Sequence, residues 1–297
     1  MEIEVVADVP CAIGECPLWH PGEGKLYWTD IPAGKLYRYD PVSGTHEVAF
    51  QGPVVGGMTL QADQTLLLFM ERGTVAVWDG QGQGLARIIV PELPKERDVR
   101  FNDVIADPVG RVFCGTISLK DASGQVVRLG RLHRLDCDGS IRPVVEGVGT
   151  SNGMGFSPDR RTFYHTDTAA RRIDAYDYDQ ASGAISHRRP FAQIPATPHN
   201  ERPDGMTVDA AGNIWSALWE GGAIICLAPD GQLLRRIELP VRCPTSVCFA
   251  GLDLRDLYVT TAQGDQRPAK GQYAGALLRI RGLEAQGVPE FVSRIGC

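Results

Sequence analysis

The chain of 297 residues lacks long apolar runs and basic clusters. No segment approaches the roughly 18 consecutive apolar residues that a transmembrane helix requires. The formal net charge is −6, and arginine and lysine occur in runs no longer than pairs, unlike the basic stripe of a nucleic-acid-binding protein. The acidic first residues, MEIEVVADVP, do not have the pattern of a signal peptide. We therefore expect a cytoplasmic protein that binds neither membranes nor nucleic acid.

The cysteines also lack the spacing of a metal site. Eight are present, but no Cys-x-x-Cys occurs among them. A chain of this size without a secretion signal is expected to keep its thiols reduced. Several cysteines lie in apolar runs, where cysteine usually packs as a small hydrophobic residue. A thiolate metal site is therefore not expected.

Short apolar strands separated by Gly, Asp and Pro turns recur along the chain. One strand position repeats every 40 to 51 residues, in stretches such as GKLYW, GRVFC and NIWSA. The six residues at this position, which we call the anchor residues, are Leu26, Leu66, Val112, Phe163, Ile214 and Leu257. A third strand follows most of them, and no segment has a sustained helical period. This pattern predicts an all-β, six-bladed β-propeller formed as one domain over residues 1–297, with almost no helix.

The two ends of the chain are predicted to share a blade. EIEVVADV near the amino terminus and PEFVSRI near the carboxyl terminus both have the composition of strands. Pairing them within one sheet would close the ring and remove its exposed edges.

Polar residues recur where each channel-lining strand is expected to begin. Counting back 10 or 11 residues from the anchor residues reaches Glu15, Val55, Asn102, Asn152, Asp204 and Ser246. Two carboxylates at one channel mouth repel each other unless a cation lies between them. Oxygen ligands without Cys or His favour a hard divalent ion such as Ca²⁺, Mg²⁺ or Mn²⁺, with Fe²⁺ and Zn²⁺ as further candidates. The alternative is six independent turns, because Asn and Asp are common turn residues.

Four stretches carry a resemblance to a known family. GECPLW, RFNDVIADPVGRVFCGT, SNGMGFSPDRRTFYHTD and RPDGMTVDAAGNIWSALW together resemble the gluconolactonase/regucalcin family of six-bladed propellers, and are most similar to its bacterial sugar-acid lactonases. They occur in the same order and spacing, and the resemblance covers nearly the whole chain. It implies that Glu15, Asn152 and Asp204 hold one divalent metal ion. It also implies that Asn102 faces this site and that Arg100 binds substrate oxygens.

One position departs from the mammalian members of that family. They carry two acidic residues after the third-blade strand, one of which contacts sugar, whereas this chain reads GTISLKD, with Lys120 in that place. Lysine presents a point charge whose attraction for an anion weakens with salt. Two interpretations remain: a solvated lysine, or a contact to the distal end of the substrate.

A second motif competes for the catalytic role. GTSNG at 149–153 matches the Gly-x-Ser-x-Gly pattern, which requires a strand before the serine and a helix after it. Here a strand, a turn and a second strand follow, so Ser151 is predicted to support Asn152 rather than to act as a nucleophile. His165, a lone histidine in a strand, is expected to be structural.

The predicted function is metal-dependent hydrolysis of a sugar-acid lactone to the free aldonic acid. Asp204 is expected to act as general base, while Arg100 and Asn102 orient the substrate and offset oxyanion charge. The metal is expected to polarise the lactone carbonyl, to lower the pKa of a water molecule, or both. Two alternatives remain open: a phosphotriester or fluorophosphate hydrolase on the same metal site, and a non-catalytic calcium-binding propeller.

Overall fold

Six four-stranded antiparallel sheets, the blades of a propeller, make up most of the structure, a computed structural model that describes residues 1–296. The strands of each blade are given from the channel outwards. The first blade is β2–β5 (Gly14–His20, Lys25–Asp30, Lys35–Asp40, Thr45–Gln51), and the second is β6–β9 (Val55–Leu60, Leu66–Met70, Val75–Trp78, Arg87–Val90). The third is β10, β11, β14 and β15 (Phe101–Ala106, Val112–Thr116, Gly130–Leu135, Ile141–Val148). A separate hairpin, β12–β13 (Leu119–Lys120, Val126–Arg128), interrupts the third blade.

The remaining three blades continue this order around the ring. The fourth blade is β16–β19 (Ser151–Phe156, Thr162–Asp167, Arg172–Asp179, Ala184–Gln193), and the fifth is β20–β23 (Arg202–Val208, Ile214–Trp219, Ala223–Leu227, Leu233–Glu238). The sixth is β24, β25, β26 and β1 (Pro244–Ala250, Asp256–Thr261, Leu277–Arg281, Glu2–Ala7). The first strand of every blade contacts the first strand of the next, and β24 contacts β2, so these six strands enclose one channel. The all-β, six-bladed propeller predicted from the repeat is confirmed.

Apolar side chains fill the space between neighbouring blades. Six buried clusters occur in the described part of the chain, each shared by two adjacent blades. Between the fifth and sixth blades, for example, Trp215 meets Phe249 edge to face with ring centroids 5.9 Å apart. Because both faces of each sheet are covered, the inner strands are buried along nearly their whole length, including polar residues near their starts.

The anchor residues have the same place in every blade, as their spacing predicted. Each is the first or second residue of its blade's second strand and pairs with the inner strand beside it. Helix in residues 1–296 is limited to the four-residue α1 (Arg267–Lys270) and two 3₁₀ turns, Pro94–Glu96 and Gly264–Gln266. No helix in this range has the length and apolar content to cross a membrane.

The ring closes differently from the sequence-based expectation. β1 pairs antiparallel with β26 and supplies the outermost strand of the sixth blade, as predicted for EIEVVADV. PEFVSRI at 289–295 is not in that sheet, so this half of the prediction was wrong. Its Ser293 instead bridges to Gln61, beyond the end of β6, and Phe291 packs on Phe156 with ring centroids 5.9 Å apart. β1 already occupies the free edge of β26, and the carboxyl-terminal segment instead packs its half-buried aromatic ring at the far end of the channel.

Irregular pairing marks the start of every inner strand. The register between first and second strands shifts within the first few residues of all six blades. Such bulges turn side chains away from the regular alternation and are common beside active sites. Glycines allow adjacent inner strands to approach at this level: a Cβ on Gly153 would lie 2.6 Å from the carbonyl oxygen of Asp204. The resulting ring of strand starts forms the channel mouth described next.

Candidate functional site

Glu15 and Asp204 lie at the same channel mouth, near the starts of β2 and β20. Both are buried, with 7% and 4% of their surfaces exposed. Burial and the neighbouring Asp103 raise the pKa of Glu15 to about 8. Burial, followed by the charges of Glu15 and Asp103, raises the pKa of Asp204 well above its ordinary value. The two carboxyl groups therefore interact, and the ionised form of each is disfavoured unless a positive charge lies nearby.

Asn152 places a carbonyl oxygen at this mouth from the fourth blade. It pairs with Thr166 as Glu15 pairs with Thr29, so the two residues hold equivalent positions in their blades. Its amide nitrogen donates to Thr168 Oγ1 at 3.1 Å, which directs the amide oxygen the other way. That Oδ1 atom is buried and accepts no hydrogen bond from the described residues, and the same is true of Asp204 Oδ1. Buried oxygens without donors are rare, and here two occur at one mouth.

Arg100 and Asn102 reach the mouth from the third blade. Arg100 Nη1 donates to Asn102 Oδ1 at 2.6 Å and to the carbonyl oxygen of Phe101 at 2.9 Å. Asn102 Nδ2 donates to the carbonyl oxygen of Ser151 at 2.8 Å, which ties the third blade to the fourth. Burial lowers the pKa of Arg100 to about 10, against the opposing effect of Glu15 and Asp204. Arg100 is thus the cation that both carboxylates face.

Asp103 is a channel carboxylate that the sequence analysis missed. Burial raises its pKa to about 6, and its charge acts on both Glu15 and Asp204. It directly follows Asn102, so regular strand alternation would turn it away, but the register of this blade shifts between Phe101 and Val104. Asp103 also lines a cavity of about 450 Å³ that continues along the channel to Phe291. The only sequence signal for it was its place in the RFND stretch.

Lys120 lies outside this buried group. It ends the short strand β12 and is exposed to solvent. Thr116 pairs with Phe101 at the start of the inner strand, so the β12–β13 hairpin that follows Thr116 projects from the same mouth as Arg100. The structure therefore puts Lys120 on the rim, in a position compatible with either interpretation of this residue.

Ser151 and His165 form a hydrogen-bonded pair that is closed to substrate. Ser151 Oγ lies 2.8 Å from His165 Nε2, and Ser151 is completely buried. A Cβ on Gly115 would lie 1.8 Å from this hydroxyl, so the neighbouring strand leaves no space beside it. His165 Nδ1 is buried without a hydrogen-bond partner in the described part of the chain, so no carboxylate there orients the ring. Strands precede and follow Ser151, as predicted, and the geometry is that of a packing contact.

The oxygens at the mouth fit a hard divalent cation. Glu15 and Asp204 supply negative charge, and Asn152 Oδ1 and Asp204 Oδ1 are buried acceptors without donors. A cation would satisfy both atoms and offset the repulsion between the carboxylates. No group of three or more His, Cys, Asp or Glu side chains suited to a metal occurs in residues 1–296. The donor set instead combines two carboxylates with an amide. The seven cysteines in this range are free thiols.

Comparisons with known proteins identify the family to which the chain belongs. The chain is 48% identical to pentonolactonase XacC of Haloferax volcanii, with 99% of each chain covered. It is 37% identical to 6-deoxy-6-sulfogluconolactonase of Pseudomonas putida, over 88% of this chain and 87% of that one. The crystal structure of regucalcin from Agrobacterium tumefaciens, described as a calcium-binding protein, superposes with a TM-score of 0.87 at 25% identity, covering 98% and 97% of the two chains. The model of the SMP-30/Gluconolactonase/LRE-like region matches residues 13–263, and the chain belongs to that family.

Proposed function

We propose that this protein is a lactonase that hydrolyses a sugar-acid lactone to the free aldonic acid with the help of one divalent cation. The observation that carries the proposal is the pair of buried, unpartnered oxygens on Asn152 and Asp204 beside the carboxylate of Glu15. The names of two relatives, pentonolactonase and 6-deoxy-6-sulfogluconolactonase, support a sugar lactone as the substrate class. The proposal includes a cytoplasmic location and one domain spanning the chain.

Glu15, Asn152 and Asp204 are the residues that would hold the cation. Their donor atoms are all oxygens, which suits Ca²⁺, Mg²⁺ or Mn²⁺, with Zn²⁺ and Fe²⁺ as further candidates. A divalent cation bound there would supply Lewis-acid polarisation of the lactone carbonyl and would lower the pKa of water beside it. The calcium-binding description of the Agrobacterium tumefaciens protein supports a cation at this mouth.

Asp204 is the general base in this proposal. Its carboxylate accepts a proton from water as the water oxygen bonds to the carbonyl carbon. The bond between that carbon and the ring oxygen then breaks, and the ring oxygen becomes a hydroxyl group by taking up a proton returned by Asp204 or by water. A cation held at this mouth would oppose the raised pKa of Asp204 and keep its carboxylate ionised, as a general base requires.

Arg100 and Asn102 position the substrate. The guanidinium of Arg100 is held by Asn102 Oδ1 and by the Phe101 carbonyl, so its remaining N–H groups are fixed in direction. A preorganised donor of this kind stabilises charge that develops on a carbonyl oxygen. Lys120, on the rim, is proposed to contact the distal end of the substrate, in competition with the solvated alternative.

The decisive experiment uses metal-stripped protein reloaded ion by ion. Hydrolysis of a panel of aldonolactones is followed by the acid it releases, with an organophosphate triester assayed in parallel. We expect one or more divalent ions to restore hydrolysis of lactones well above that of the triester. Preference for the triester would assign the mouth to phosphotriester hydrolysis. Cation binding without hydrolysis of any substrate would leave a calcium-binding propeller and overturn the proposal.

A further inference from the structure

Two arginines that have no carboxylate partner among residues 1–296 meet at the mouth, between the fourth and fifth blades. Arg171 ends the turn between β17 and β18, and Arg202 begins β20. Both donate to one neutral oxygen, Asn200 Oδ1, with Arg202 Nη2 at 3.3 Å. Arg171 Nη1 also donates to the carbonyl oxygen of Glu201 at 2.5 Å. Two guanidinium groups sharing one amide oxygen repel each other and leave further N–H donors unused.

The nearby acidic groups are already occupied. Glu201 Oε2 accepts from Arg236 at 3.0 Å. Asp167 accepts the backbone N–H groups of Gly149, Thr150 and Ala170. Within residues 1–296, neither arginine forms a salt bridge with Asp or Glu, and Arg202 Nε is buried without an acceptor. Neither arginine of this pair is therefore neutralised by a direct carboxylate contact within the described residues.

The backbone position of Arg171 is one that other blades give to glycine. Its φ is 56°, in the left-handed region, and its carbonyl oxygen accepts from the Ile194 N–H after the fourth strand of its blade. Gly34 has the same role in the first blade, with φ 60° and the N–H of Gly52 as its donor. A side chain in this left-handed conformation is strained relative to glycine. An arginine here carries that strain and places its guanidinium beside Arg202.

The second blade provides an internal comparison. Arg72 has φ 63° and accepts the N–H of Leu93 through its carbonyl oxygen, so it is equivalent to Arg171. Its guanidinium is neutralised by Glu92 Oε2 at 2.5 Å. The same residue type at the same backbone position is thus paired in the second blade and unpaired in the fourth. Arg72 and Arg171 therefore differ in their side-chain partners and not in their backbone conformation.

The arginine pair is joined to the candidate catalytic residues through Thr168. Thr168 Oγ1 accepts from Asn152 Nδ2 and donates to the carbonyl oxygen of Pro203 at 2.8 Å. Pro203 lies between Arg202 and Asp204 in β20. The turn that carries Arg171 follows β17, whose last residue, Asp167, pairs with Ser151 beside Asn152, so the arginine pair lies on the same mouth.

We propose that Arg171 and Arg202 form a subsite for an anionic group on the lactone, a carboxylate, sulfonate or phosphate at the end distal to its carbonyl. This inference rests on the proposed function and narrows its substrate class. Planar guanidinium groups donate parallel hydrogen bonds that match the oxygens of such anions. An incoming anion would replace the shared Asn200 oxygen with separate acceptors for the two arginines. A neutral hydroxymethyl group would leave their charges unpaired.

The first test measures anion binding without catalysis. Sodium sulfate is titrated into the full-length protein by calorimetry, against sodium chloride at equal ionic strength. Arg171→Gly and Arg202→Gln are each expected to weaken sulfate binding about tenfold or more. Arg72→Gly, the matched control, is expected to leave it unchanged. Absence of sulfate binding to the wild-type protein, or an equal loss in Arg72→Gly, overturns the subsite.

The second test compares two lactones that differ only in a distal hydroxymethyl or anionic group. Arg171→Gly is expected to lower the ratio of kcat/KM for the charged lactone to that for the neutral one about tenfold, mainly through KM. Sulfate should compete with the charged lactone more strongly than with the neutral one, which separates a substrate subsite from a site for free anions. An unchanged ratio with normal turnover overturns the inference alone. Sulfate binding without hydrolysis of either lactone overturns the proposed function instead.

Discussion

The hydroxyl of Thr168 accepts a hydrogen bond from the side-chain amide of Asn152 at 3.1 Å, and this contact fixes which way the Asn152 oxygen points. Thr168 also donates to the carbonyl oxygen of Pro203, the residue before Asp204. One hydroxyl group therefore orients a candidate ligand of the fourth blade against the strand that carries the candidate base in the fifth.

Thr168→Val removes this hydroxyl with little change in shape. Asn152 then loses the acceptor that orients its amide, and we expect cation affinity to fall about 10- to 100-fold, as when other groups that orient ligands are removed. Calcium and manganese titrations by calorimetry measure the change. Thr168→Ser keeps the hydroxyl and should bind nearly as tightly as the wild type. Equal affinities in Thr168→Val and the wild type would show that Asn152 needs no such support.

Asp204→Asn tests the role of Asp204 as general base in a variant that is expected to fold. The substitution keeps an oxygen at the mouth but removes one negative charge and the proton acceptor. We expect a folded protein with weaker cation binding and a kcat reduced beyond the ~10²–10⁴-fold that loss of a general base alone produces. Steady-state kinetics at saturating metal measure the effect. Retained activity would assign the proton transfer to another residue.

Ser151→Ala is the matched control for the alternative nucleophile. Ser151 is fully buried and bonded to His165, so removal of its hydroxyl is expected to lower stability by about 1–3 kcal/mol, because the histidine loses its buried partner. Lactone hydrolysis should change only modestly in the folded variant. Complete inactivation of a folded Ser151→Ala protein would restore the nucleophile interpretation.

Lys120→Glu tests the rim position. If Lys120 contacts substrate, the change from a cation to an acceptor should alter the ranking of lactones by kcat/KM, with charged lactones losing most and increasingly so at low salt. Kinetics on a lactone panel at two salt concentrations measure the ranking. A uniform change, or none, would identify Lys120 as a solvated residue of the β12–β13 hairpin.

The buried side chain of His165 is expected to lower the free energy of unfolding on mild acidification. Burial lowers its folded-state pKa to about 4 from 6.5, despite Asp167 and Asp174 nearby. The native state thus binds this proton less readily than the unfolded state. Its contribution is fully present above pH 6.5 and is lost as pH falls towards 4, with a slope of at most about 1.4 kcal/mol per pH unit.

Urea unfolding at pH 7, 6 and 5 checks this expectation for wild type and His165→Gln. The variant cannot titrate at this position, so its free energy of unfolding should fall less steeply between pH 6 and pH 5. His133, whose pKa burial also lowers to about 4, remains in both proteins and contributes equally to them. Parallel slopes for the two proteins would contradict the prediction.

The sequence by itself determined the repeat and the residues at the strand starts. Turn residues at a period of 40 to 51 residues fixed six blades, because each turn is a local preference that needs no distant partner. The same count placed Glu15 and Asn152 at equivalent positions, which their pairing with Thr29 and Thr166 confirms. Their proposed role as ligands stays a prediction.

Tertiary structure decided what depends on contacts between blades. Asp103 faces the channel because a register shift reverses its side, and strand alternation in the sequence does not report that shift. The sequence-based prediction placed PEFVSRI in the wrong sheet, because strand-like composition does not show which strand edge is free. β1 occupies the free edge of β26. In the sequence, Arg171 and Arg202 are 31 positions apart, and nothing distinguishes them from ordinary surface charges. They meet at Asn200 because the fourth and fifth blades pack side by side, which brings two cations to one oxygen, and no carboxylate of residues 1–296 forms a salt bridge with either.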